Sequence, residues 1–218
     1  MKTKEFTRRD FLKAAGVAVA ATTITCSGLG YVASRAPQIE APEFHLTKDN
    51  PMKNRILIAY ATRAGSTAEI GAALGENLYA LGFEVDVTPV KANPSLEGYD
   101  AVILGSAIRM ANWLPEAVDF IKTNQSELSA LPLAFFTAHL MNTGEDEASR
   151  ASRLAYLDTV RGLISHPVEE VYFAGKMDYA KLSFLDRTIS KMIKSEEADR
   201  RDWEQIRNWV PQMVPEIQ

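Results

Sequence analysis

Two short runs constrain this chain more than any other feature. Ile56-Leu57-Ile58-Ala59-Tyr60-Ala61 and Ala101-Val102-Ile103-Leu104-Gly105 are apolar at odd and even positions alike. A strand with one wet face alternates, so runs of this kind belong to a sheet covered on both sides. The intervals between such runs carry helical spacing. Ile70, Leu74, Leu78 and Leu81 fall on one face, with Gly82 as the stop, and Pro115 opens a helix whose core face is Ala117, Phe120 and Ile121. Further strands are expected at Glu84–Val87, ended by Pro89, at Leu131–Phe136 and at Val168–Ala174. Two helical stretches, Leu182–Lys194 and Asp199–Met213, close the chain. Strands and helices in this alternation give an α/β fold: a five-stranded parallel sheet with helices on both faces.

Composition narrows the function. A net charge of −4 lacks the basic excess of a nucleic-acid binder, so no nucleic-acid partner is expected. One cysteine, Cys26, excludes a disulfide framework, and the scattered His45, His139 and His166 suggest no metal site. Thr7-Arg8-Arg9-Asp10-Phe11-Leu12-Lys13, followed by the mildly apolar Ala14 to Ala33, closely resembles a twin-arginine export signal. The apolar stretch, about 20 residues long, has the length to span a bilayer, so cleavage and retention as an anchor both fit it. Thr23-Ile24-Thr25-Cys26 is a poor lipoprotein cleavage site. Residues 1–36 are thus read as signal or anchor and 37–53, with Pro37, Pro42 and Pro51, as a linker. The folded domain is then 54–218.

The stretch Tyr60-Ala61-Thr62-Arg63-Ala64-Gly65-Ser66-Thr67 lies between the first strand and the first helix. In open α/β sheets, ligands sit beyond the carboxyl ends of strands, and a helix start attracts anions through unpaired N–H groups and the helix dipole. The stretch has neither the three glycines of a dinucleotide loop nor the lysine of a P-loop. Its hydroxyls and single glycine suit a terminal phosphate monoester, and they suit a plain helix cap equally well.

Thr62-Arg63-Ala64-Gly65-Ser66-Thr67 resembles the phosphate loop of flavodoxins, and the likeness extends over nearly all of Asn54 to Met213. Within that superfamily the chain is most similar to the menaquinone-dependent protoporphyrinogen oxidase branch. The segments carrying this are Thr62-Arg63-x-Gly65, Ser106-x-Ile108-Arg109, Asp186-Arg187 and Asp202-Trp203-Glu204-Gln205. The resemblance implies a flavodoxin-like fold with FMN as cofactor. Thr62, Arg63, Ala64, Gly65, Ser66 and Thr67 would bind its phosphate. Ser106, Ala107, Ile108, Arg109, Met110, Asn112 and Trp113 would flank the ring on one side, and Thr137, Ala138 and His139 on the other. Arg109, the only charged side chain between Gly105 and Leu114, and His139 are the expected catalytic residues.

The resemblance also implies a porphyrinogen substrate and electron transfer to menaquinone in the quinone pool. The part beyond a minimal flavodoxin includes Asn142 to His166, which begins with the acidic Glu145-Asp146-Glu147, where the enzyme branch is basic. The late helix is amphipathic and basic (Lys181, Arg187, Lys191, Lys194), which fits a membrane surface or ordinary packing. The alternative reading is an exported electron carrier that docks a redox partner protein through an acidic face.

Overall fold

A computed structural model of the chain describes residues 43–47, 54–164, 167, 169–192 and 197–216. The twin-arginine segment and Cys26 lie outside the described residues. The main unit comprises Gln38–Lys181 and Glu196–Gln218, and residues 182–195 fall outside it.

In chain order the main unit opens with β1 (Phe44–Leu46), β2 (Arg55–Ala61), α1 (Ser66–Ala80) and β3 (Glu84–Pro89). It continues with β4 (Ala101–Arg109), β5 (Asn112–Trp113), α2 (Pro115–Thr123), α3 (Gln125–Leu128) and β6 (Leu133–His139). There follow α4 (Glu147–Ala155), α5 (Asp158–Arg161), β7 (Glu169–Ala174) and β8 (Lys176–Met177). After α6 (Phe184–Met192), which belongs to the other unit, come β9 (Ala198–Asp199) and α7 (Trp203–Met213).

The sheet runs β1-β3-β2-β4-β6-β7. β3, β2, β4, β6 and β7 are parallel, as the doubly apolar runs require. Counting these five alone, the order is 2-1-3-4-5, a doubly wound arrangement whose switch point lies between β2 and β4. Alternate residues of β2 feed opposite cores. Ile56, Ile58 and Tyr60 pack with Ile70, Leu74 and Leu78 of α1 and with Ile206 and Val210 of α7. Leu57, Ala59 and Ala61 pack with Ala117, Phe120 and Ile121 of α2, Leu128 of α3 and Val160 of α5.

Four features depart from the sequence reading. Part of the expected linker is β1, an antiparallel edge strand on β3 with Phe44 opposite Val87 and Leu46 opposite Val85. It is held by a buried carboxylate. Asp86 of β3 accepts from His45 Nδ1, Arg55 Nη2 and Tyr99 Oη. Second, β4 continues to Arg109 and turns back on itself as the β4–β5 hairpin. Third, Ala198–Asp199 is strand, so the last helix starts later than expected, with Asp202 Oδ1 capping it by accepting from Gln205 N at 2.9 Å. Leu81 is exposed at the end of α1 and does not belong to its buried face.

In the other unit, α6 is capped by Ser183, whose Oγ accepts from Asp186 N at 3.0 Å and donates to Asp186 Oδ2 at 2.7 Å. Among the described residues no helix is long and apolar enough to cross a membrane.

Candidate functional site

At the switch point the chain leaves β2 through Thr62, Arg63 and Ala64 and enters α1 at Ser66. Gly65 has φ 90°, a left-handed conformation that a side chain would strain. Its N–H donates to Thr62 Oγ1 at 3.0 Å, which closes the turn. The first bond inside the helix runs from Glu69 N to Gly65 O, so the N–H groups of Ser66, Thr67 and Ala68 precede any intrahelical acceptor. Thr67 is wholly buried and its Oγ1 has no hydrogen-bond partner. A buried hydroxyl without a partner is costly. Thr67 is the second residue of α1, whose first N–H groups have no intrahelical acceptor, and such a helix start attracts an oxyanion. Arg63 is committed elsewhere: its guanidinium is bidentate on Glu116 of α2 at 2.7 and 2.9 Å, so its charge is already partnered.

The second loop is the β4–β5 hairpin. Ile108 faces Trp113 and Arg109 faces Asn112 across it, with Met110 and Ala111 at the tip. Both tip residues have positive φ (52° and 58°), as a two-residue hairpin turn demands, and neither is glycine. Met110 is 79% exposed. Asn112 Nδ2 donates to Met110 O at 2.9 Å and its Oδ1 accepts from Thr159 of α5 at 3.3 Å. Arg109 and Ile108 are half-buried.

Ser106 and Thr137, adjacent in register, fasten this hairpin from below. Ser106 Oγ donates to Ala107 O at 2.8 Å and accepts from Leu114 N at 3.0 Å. Thr137 Oγ1 accepts from Trp113 Nε1 at 2.9 Å. Trp113 is only 2% exposed and meets Phe135 edge-on, centroids 5.3 Å apart. The expected ring-facing tryptophan is therefore a core residue, because its indole N–H finds a partner inward. Ala138 is also buried, beside Phe173 and Ala107 in register.

The third loop follows β6. His139 is buried, and its Nδ1 lies 2.8 Å from Met141 O. A carbonyl only accepts, so Nδ1 carries the proton in the neutral ring. Burial lowers the pKa of His139 against the hydrogen bond to Met141, and nearby Arg153 lowers it further. Through this bond His139 holds the turn at Met141, which is itself 57% exposed. Asn142, at φ 59°, donates to Tyr156 Oη at 2.7 Å. Arg153 Nη1 donates to the carbonyls of Asn142 and Gly144 at 2.6 and 2.5 Å.

Asn142, Arg153 and Tyr156 gave no sequence signal as loop-shaping residues. Two residues of the acidic stretch are engaged locally. Glu145 pairs with Arg150 at 3.1 Å and Arg153 at 3.6 Å, and Asp146 caps α4 by accepting from Ser149 N at 2.9 Å. Helix α4 contains no buried residue.

A family model described as flavodoxin domain matches residues 57–204, more than half of the chain. A second model, for the twin-arginine translocation pathway signal sequence, matches residues 5–25. Protoporphyrinogen IX dehydrogenase (quinone) of Escherichia coli strain K12 is 27% identical over 171 residues, covering 73% of this chain and 94% of that protein. The Leishmania major protein of the same name is 26% identical over 167 residues, covering 71% and 72%. Among solved structures, oxidised flavodoxin 1 from Bacillus cereus superposes with a TM-score of 0.48 at 15% identity, covering 74% of this chain and 97% of that one.

Proposed function

This chain belongs to the flavodoxin domain family, and on that premise we propose that it is an FMN-dependent oxidoreductase which takes electrons from a porphyrinogen and passes them to a menaquinone-type quinone. It is a flavodoxin-like flavoprotein of redox function that carries a twin-arginine export signal. The finer reading rests first on one observation: the buried Thr67 hydroxyl without a partner at the start of α1. With the N–H groups of Ser66, Thr67 and Ala68 it forms a donor set for a phosphate dianion. Several charge-assisted bonds of about 1.5–3 kcal/mol each suffice without a lysine. That donor set favours FMN, whose phosphate is terminal.

FMN, when bound, would supply two-electron chemistry. The chain's own residues bind and orient. Met110 and Met141, exposed on the loops after β4 and β6, offer apolar surface to a flat ring. Ser106, Thr137 and Trp113 keep the first of these loops in place, and His139 with Arg153 keeps the second. Arg109 would favour negative charge on the reduced ring or attract an anionic substrate.

The relatives named as dehydrogenases support a small-molecule substrate. So does the inserted α4, which packs no residue of its own into the core and is free to cover one. An electron carrier docking through acidic charge has less support, since Glu145 is paired with Arg150 and Arg153. Export would put the working site in the periplasm or at the outer face of the cytoplasmic membrane, on the far side from the cytoplasm.

The test uses the full chain loaded with FMN, anaerobic protoporphyrinogen, and porphyrin fluorescence with and without a menaquinone analogue. Quinone-dependent fluorescence is expected. A yellow protein that gives none would transfer the assignment to an electron carrier.

A further inference from the structure

The anion site at the start of α1 has a carboxylate in its own first turn. Glu69 is the fourth residue of the helix. An acidic residue there favours the helix dipole, but it repels any anion bound at the same end. The structure surrounds this carboxylate with positive charge. Arg201 Nη1 donates to Glu69 Oε2, and Lys181 Nζ lies 3.7 Å from Oε1.

Arg201 is itself locked. It is bidentate on Asp199, Nε to Oδ1 at 2.8 Å and Nη2 to Oδ2 at 2.6 Å, and its guanidinium lies 4.5 Å over the Trp203 ring. Its side chain is 5% exposed. Hydrogen bonding to Asp199, then to Glu69, raises its pKa against burial. Lys181 and Arg201 balance Glu69 and Asp199, so the four groups sum to zero charge.

Backbone bonds bring this cluster to the phosphate end of the sheet. Arg200 N donates to Gly175 O at 3.1 Å, and Gly175 N to His139 O at 2.7 Å. Gly175 lies against the first residue of α1: a Cβ built on it would meet Ser66 Oγ at 3.5 Å.

We propose that Arg201 is a positioning residue for the flavin phosphate, cancelling the charge of Glu69 so that the start of α1 accepts a dianion. The proposal rests on the FMN reading above. Arg201 does not touch the ligand. It acts through Glu69.

Charge arithmetic gives an ordered series for the full-length protein at low salt. Arg201→Gln leaves the cluster at −1, the double variant Glu69→Gln/Arg201→Gln returns it to zero, and Glu69→Gln alone makes it +1. FMN dissociation constants should therefore be about tenfold weaker in Arg201→Gln, restored in the double variant, and tighter than wild type in Glu69→Gln. Riboflavin, which has no phosphate, should bind all four proteins within about twofold.

Equal losses of FMN and riboflavin in Arg201→Gln would mark a purely structural arginine and overturn the proposal. So would a double variant that binds FMN no better than Arg201→Gln. Should Arg201→Gln not fold, Glu69→Gln decides alone: FMN bound no tighter than by wild type overturns it. A wild-type chain that binds neither flavin would remove the FMN reading itself, whereas wild-type FMN binding with a failed series removes only the role of Arg201.

Discussion

At Gly105 the backbone of β4 passes directly beneath the Phe136 ring. A Cβ added there would lie 1.9 Å from Phe136 Cζ, and Phe136 is fully buried in the core shared with α1. Gly105→Ala should therefore destabilise the protein by about 1–3 kcal/mol through overpacking, read from urea unfolding. The neighbouring Ser106 and its hairpin would be displaced with it. Thr67 predicts the opposite pattern. Removing an unsatisfied buried hydroxyl in Thr67→Val should leave the flavin-free protein as stable as wild type, or up to about 1 kcal/mol more stable. FMN affinity should fall roughly ten- to a hundredfold, since a charge-assisted bond is lost. A cap residue with no ligand would lose stability and leave affinity unchanged, so calorimetry and a flavin titration on one variant separate the two roles.

Among elements, β1 and α4 differ in how they are held. β1 is tied to β3 through Asp86. Burial alone would raise the pKa of this carboxyl, but the donors Tyr99, His45 and Arg55 together outweigh it and lower the pKa. A lowered native value means that the contribution is complete above the unfolded value of about 3.9 and disappears as pH falls through the native one. Asp86→Asn should cost about 2 kcal/mol at neutral pH, less than for a fully enclosed pair because Arg55 and His45 rehydrate. The gap between variant and wild type should close below about pH 4 in acid-unfolding curves. α4 has a capped start and ion pairs but no buried side chain, and exposed pairs contribute little. Its amides should exchange with deuterium well before those of α1, whose inner face is buried along its length. Protection of α4 that rises on adding a porphyrin would identify it as the cover of the substrate site.

For the molecule as a whole, the export signal and the cofactor site have to act in order. A twin-arginine signal directs folded proteins, so flavin binding belongs before export. Replacing Arg8 and Arg9 by lysines should retain the full-length yellow protein on the cytoplasmic side, visible by cell fractionation; unchanged export would show that residues 5–25 do not act as the signal they match. The α/β architecture, its five parallel strands and the loop that opens α1 were all legible in the chain. They depend on local terms: side-chain period, glycine and proline positions, and hydroxyls at a helix start. β1 was not legible, because three residues between prolines become a strand only when β3 supplies the partner.

The sequence by itself determined the alternation of the main strands and helices and the position of the loop that opens α1, since those depend on near neighbours. Only the tertiary structure decided which residues meet around that loop. Arg63 meets Glu116 across 53 positions, Trp113 meets Thr137 across 24, and Arg201 meets Glu69 across 132. Partners so far apart leave no periodic trace in the chain. Their pairing follows from the order in which the strands lie side by side, and it placed Arg63 against Glu116, the Trp113 indole in the core and Arg201 between two carboxylates.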